Sequence, residues 1–340
     1  MSPSDPATIM NDDPNQPLSS QPIRVRHDDP PAAAGSAAPA AAASTPAAVP
    51  EKKGTDWWGE VKAIFWLILA VLAFHSFIAK PFYIPSESMM PILLQGDRLV
   101  VSKYPYGWSW VSPSFHVVPA TEGRLFGKLP ARGDIVILTP PGKSSDYIKR
   151  VIGLPGDTLE MIDGTLYING QQVKREQREP AMIPVDANVP CRPDQFGDFR
   201  AEGPDGKLYC RLPIVRETMP NGVSYNTIDI GHTSVDDFAR ITIPEGRIFV
   251  MGDNRDRSAD SRVPAEQEGL GGAVPFENIG GRAEFITFSL DGTSTLLNPV
   301  SWFTALRGGR AGDSLRAGTE DPVRTPPVTQ PDTAQPDTAR

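Results

Sequence analysis

The sequence predicts a mainly β protein carried behind a single transmembrane helix. Three observations lead there. The run "AIFWLILAVLAFHSFIA" (63–79) is apolar and free of formal charge. Short β-type runs bounded by turn residues fill 97–290, among them "RLVVSKY", "DIVIL", "YIKRVIG", "TLYINGQQV", "RITIP", "RIFVMGD" and "AEFITFSL". No capped, helix-length amphipathic pattern interrupts them. Asn169-Gly170, with alternation on both sides, marks a hairpin, so the strands are expected to pair antiparallel.

In chain order, residues 1–55 are Ala/Pro-rich and poor in large apolar side chains. They cannot bury enough surface to offset chain entropy and are expected to be a disordered cytoplasmic tail. The helix is expected over 56–80, with Trp57, Trp58 and Lys62 as interfacial anchors. A cleavable leader is the alternative, but about 60 residues precede the run, and Phe77 occupies the place where a small residue would precede a cut. Lys52, Lys53 and Lys62 before the run, against Lys80 and Arg98 after it, favour an N-terminus inside. A folded β region is expected over 81–307, followed by a disordered tail over 308–340.

Cys191 and Cys210 are the only cysteines among the 340 residues. With no CxxC and no nearby His, zinc is disfavoured. A disulfide between them would close a loop of about 20 residues, contribute about 3 kcal/mol and imply an oxidising compartment. Two free thiols are the alternative.

The formal charge of −8 argues against a nucleic-acid binder. "PPGKSS" lacks the earlier glycine of a phosphate loop, Ile137 standing there, and "DNRDRSAD" lacks the glycine of a calcium loop. H-E-x-x-H, G-x-S-x-G and S-x-x-K do not occur. Of the histidines at 27, 75, 116 and 232, only His232 is placed to enter a site. A serine nucleophile must therefore find another base, and a neutral lysine can serve.

In "DYIKRVIGLPGD", alternation puts Tyr147, Lys149 and Val151 on one face and Arg150 on the other. Burial there would lower the Lys149 pKa; the alternative is an edge-strand lysine reaching solvent. In "YIPSESMMPILLQGD", Ser86 and Ser88 point the same way if the segment is extended. Ser88 would then attack while its own N–H and the Ser86 hydroxyl receive the oxyanion. A polar turn at the membrane exit is the alternative. The run "MGDNRDRSADSR" (251–262) reads as a tightly bonded loop able to offer a hydroxyl to a lysine.

Together, "PSESMMPILLQGDRLVVSKYPYG", "RGDIVIL", "DYIKRVIGLPGD" and "GDNRDRSADSR" resemble the four boxes of bacterial type I signal peptidases, in order and spacing. The resemblance implies two antiparallel β-sheet domains, with a core over 81–155 and 244–300 and an inserted β region over 156–243. It implies a membrane-anchored Ser/Lys endopeptidase that removes signal peptides from exported preproteins, at the outer face of the bacterial inner membrane and near the secretion translocon. Neither metal nor organic cofactor is called for. The resemblance assigns Ser88 as nucleophile, Lys149 as base, Ser86 as oxyanion donor and Ser258 as the hydroxyl orienting the lysine. Asp253, Arg255, Asp260 and Arg262 become the ion-paired support. Glu87 stands where some members have glycine. Residues 104–131 and 176–243 match no family pattern, and the Trp- and Tyr-rich stretch 104–111 reads equally as a membrane-interface loop or as core.

Overall fold

The computed structural model describes residues 56–113, 119 and 121–318; the tail expected at 1–55 and positions 319–340 of the C-terminal one lie outside them. Helix α1 (Trp57–Phe77) opens with the Asp56 side chain accepting from Gly59 N at 3.1 Å. Its 21 residues rise about 31 Å, matching a bilayer's hydrocarbon core, and none is buried. The helix stops short of the expected residue 80 because β1 (Ala79–Tyr83) begins at once, Lys80 to Tyr83 pairing with Val101 to Arg98.

The remaining strands are β2 (Asp97–Ser102), β3 (Ile135–Leu138), β4 (Tyr147–Gly153), β5 (Thr158–Ile162), β6 (Thr165–Ile168), β7 (Gln171–Gln172), β8 (Lys174–Pro184), β9 (Arg200–Glu202), β10 (Leu208–Thr218), β11 (Ser224–Ile228), β12 (Phe238–Thr242), β13 (Arg247–Met251), β14 (Val274–Pro275) and β15 (Ile279–Ser289). Every paired strand is antiparallel, so the mainly β class holds. A seven-stranded sheet runs β1-β2-β15-β3-β4-β13-β14. Residues between its strands β4 and β13 form two further sheets, β12-β5-β6-β7 and β11-β10-β8 with β9 on β10.

Apolar side chains fill both faces of the large sheet. On one, Met89, Ile92 and Leu93 of the serine segment pack with Leu99, Ile135, Ile137 and Ile148. On the other lie Tyr106, Val136, Val151 and Val250. Met90 and Leu94 instead join Ile183, Leu212 and the disulfide Cys191–Cys210, whose Cα atoms are 5.6 Å apart. The serine segment is thus held between the large sheet and the β8-β10 sheet.

One stretch differs from expectation, and another, open to two readings, is divided. Residues 308–318 are packed, not loose: Arg310 pairs with the buried Asp97, Arg316 with Glu284, and Leu315 is buried in the core. In 104–111, Tyr106 is core, its hydroxyl donating to Asp134 at 2.7 Å, while Tyr104 is exposed. Trp108 donates Nε1 to the carbonyl of Phe77 at 3.0 Å, at the end of α1.

Candidate active site

β4 is an interior strand between β3 and β13, so a lysine on it has no route to solvent along a sheet edge. Lys149 pairs with Val136 across β3 and is 4% exposed. Its Nζ hydrogen-bonds Ser88 Oγ at 2.9 Å, and Ser88 Oγ lies 3.4 Å from Ser86 Oγ. The segment bearing the serines is bent, not extended. Pro85 leads into a turn in which Met90 N donates to the carbonyl of Glu87 and Leu93 N to that of Met89. The two hydroxyls still meet, because the turn brings them together on the side facing β4.

Burial pushes the Lys149 pKa down from 10.5 to about 8. The carboxylates of Asp260 and Asp253 resist that shift and the Arg262 guanidinium adds to it. A neutral amine 2.9 Å from a hydroxyl can take its proton. The Tyr147 ring lies 5.5 Å from Nζ.

The loop after β13 is built from buried ion pairs. Asp260 accepts from Arg262 Nε and Nη2 at 3.0 and 2.9 Å and from Gly252 N at 3.0 Å. Burial would raise the Asp260 pKa, but Arg262 and these N–H donors outweigh it and hold the carboxyl below its ordinary range. Asp253 is gripped by both Arg150 Nε and Nη2, at 2.7 and 2.6 Å, so Arg150 on the opposite face of β4 ties the lysine strand to this loop. Arg255 finds its acid in Glu217 of β10, at 2.6 Å, with Tyr225 beside both. Asn254 donates its N–H to the carbonyl of Ser88 and Nδ2 to that of Glu87, each at 3.1 Å. Ser258 does not make the bond expected to Lys149. Its Oγ is buried without a hydrogen-bond partner among the described residues and crowds Gly252, where a Cβ would lie 2.2 Å from it.

The family profile of "Signal peptidase, peptidase S26" matches residues 57–288. The chain belongs to that signal peptidase family. The chain is 37% identical over 239 residues to a Rickettsia typhi protein named Signal peptidase I, covering 68% of this chain and 80% of that protein. A Signal peptidase I of Rickettsia akari is 35% identical over 248 residues, covering 69% and 79%. A crystal structure of an Enterococcus faecalis signal peptidase I matches at 26% identity over 46% of this chain and 97% of that one, with a TM-score of 0.24.

As a signal peptidase family member the chain is a peptidase. Of the residues singled out in the sequence, Ser86, Ser88 and Lys149 meet, and the charges of Asp253, Asp260 and Arg262 act on Lys149. Arg255 braces the loop from the inserted region. His232 lies at the surface beside Asp163 and Asp236, with no part in this cluster. Sequence reasoning missed Gly252, Asn254, Glu217 and the Arg150–Asp253 pair. Alternation already pointed Arg150 at the face away from Lys149, and that was the one available signal.

Proposed function

We propose that this chain removes N-terminal signal peptides from exported preproteins, with Ser88 as nucleophile and the neutral amine of Lys149 as general base. The observation carrying the reading is the buried 2.9 Å contact between a lysine with pKa about 8 and a serine hydroxyl. Ser88 Oγ attacks the scissile carbonyl carbon while its proton passes to Lys149 Nζ. The oxyanion is received by the Ser86 hydroxyl and the Ser88 N–H. The ammonium then returns the proton to the leaving amine as the C–N bond breaks, and the signal peptide stays as an ester on Ser88. Water attacks that ester, its proton taken by the regenerated amine, and the ammonium passes a proton to Ser88 Oγ as the ester bond breaks, restoring both groups. Ser258 accepts a hydrogen bond from Lys149 at the ammonium stage, when Ser88 can no longer be its sole partner. Asp253, Arg255, Asp260 and Arg262 brace the loop that carries Ser258.

In this reading α1 is a single-pass anchor in the cytoplasmic membrane, with the N-terminus cytoplasmic and the β region periplasmic beside the secretion translocon. Its apolar, unburied surface supports the span, and the disulfide in the β region supports that orientation. The test is cleavage of a preprotein by the purified full-length protein, with the product's new N-terminus sequenced. Ser88→Ala should abolish cleavage with the fold intact, and Ser86→Ala should lose about 10²–10³ in rate. Turnover by Ser88→Ala equal to wild type would end the proposal.

A further inference from the structure

We infer that Glu87 and Arg257 are positioning residues that hold Ser88 in register with Lys149 and Ser258, an inference that rests on the endopeptidase reading above. Glu87 sits between the two serines, and its carboxylate accepts from Arg257 Nε. Arg257 directly precedes Ser258. The ion pair therefore joins the chain positions next to the nucleophile and next to the hydroxyl loop. The same guanidinium reaches a third segment. Its Nη1 donates to the carbonyl of Gln195 at 3.1 Å, and it lies 5.5 Å over the ring of Phe196. Phe196 is buried in one cluster with Met90, Leu94 and both cysteines. One side chain thus links the serine turn, the Ser258 loop and the disulfide-closed loop.

Glu87 and Arg257 hydrogen-bond neither Lys149 nor the Ser88 hydroxyl, so they act through the backbone. Asn254 grips the Glu87 and Ser88 carbonyls, and the Glu87–Arg257 pair fixes the same residues through the side chain. The site leaves little slack. A Cβ on Gly252 would lie 2.2 Å from Ser258 Oγ and 2.4 Å from the Ser88 carbonyl oxygen, so both segments already press on that glycine. A small drift of either one changes the approach of Oγ to a substrate carbonyl, and catalysis is steep in that distance. Stability is much less affected, since the two side chains keep 23% and 30% of their surface in solvent, where ion pairs contribute little.

This separation supplies the test. Glu87→Gln, Arg257→Gln and the double reversal Glu87→Arg with Arg257→Glu are compared with wild type and Ser88→Ala, as full-length protein in detergent. Preprotein kcat and KM are measured alongside each unfolding midpoint. Each single variant is expected to lose about tenfold in kcat with KM and midpoint nearly unchanged, and the reversal to recover much of the loss. Single variants with wild-type kcat, a loss that tracks the unfolding midpoint, or a reversal no better than the singles each overturn the inference. A wild type that leaves precursors uncut overturns the endopeptidase reading and this inference with it. A cutting wild type with unaffected variants overturns the inference alone.

Discussion

In a Lys149→Met variant, a side chain of similar length replaces an amine that the fold holds against its own protonation. The unfolded chain binds that proton with a pKa near 10.5 and the native site with a pKa of about 8. The difference, 10.5 − 8 = 2.5, corresponds to about 3 kcal/mol of native-state stability forgone wherever the unfolded lysine is charged. The sign follows from proton counting. Between pH 8 and 10.5 the unfolded state carries the extra proton, so wild-type stability rises with pH through that window. The full deficit is present below pH 8 and is gone above 10.5. Methionine removes the deficit and also the hydrogen bond to Ser88, worth about 1 kcal/mol. The expected gain at pH 6.5 is therefore about 2 kcal/mol, or roughly 5 °C in Tm for a protein of this size. At pH 10.5 the gain should vanish or reverse, and cleavage should be absent at every pH. Lys103 is also buried with a pKa near 8, but it is present in both proteins and cancels. Unfolding of the full-length proteins in detergent, followed by tryptophan fluorescence at fixed ionic strength from pH 6.5 to 10.5, reads the difference directly. A stabilisation of equal size at both ends of the range, or none at pH 6.5, would refute the reasoning.

Wild-type kcat/KM for a peptide substrate should rise with pH through a single titration near 8, because only the neutral amine accepts the Ser88 proton, and Lys149→Arg should be inactive throughout. Gly252→Ala should lose most activity and about 1–3 kcal/mol of stability, checked by denaturant unfolding, since a methyl there meets both Ser258 Oγ and the Ser88 carbonyl. Truncation after Arg307 should cost about 3 kcal/mol or more in the same assay, because Asp97 would keep a buried carboxylate without Arg310.

Local pattern carried much of the site. Period-two alternation in "YIKRVIG" placed Lys149 among Tyr147 and Val151, and it lies there because β4 is covered on both sides. The nearness of Ser86 and Ser88 was legible from their spacing, although a turn rather than an extended segment produces it. What local pattern cannot hold is a partner set by the fold. Glu217 is 38 residues from Arg255 and reads as one more charge on a strand until β10 brings it beside the loop. Gly252 acts by lacking a side chain, and composition does not distinguish that from an ordinary turn glycine. Residues 308–318 misled for a related reason. Their few apolar side chains suggested a loose tail, yet Arg310 and Arg316 anchor them on buried acids. Ion pairs there do what apolar burial does elsewhere.

Between the last residue of α1 and the first of β1 stands Ile78 alone, whose N–H bonds the Phe74 carbonyl and whose own carbonyl accepts from Lys103. The helix therefore runs into the large sheet through a single linking residue. Ser88 follows only eleven positions after Phe77, most of them fixed in β1 and the turn. On the reading proposed above, the height of Ser88 above the bilayer surface is then set by these contacts, as on a ruler. For the reaction proposed here, a precursor held by its apolar segment presents only those peptide bonds that lie at that height. Spacing from the membrane thus selects among bonds before any side-chain pocket does.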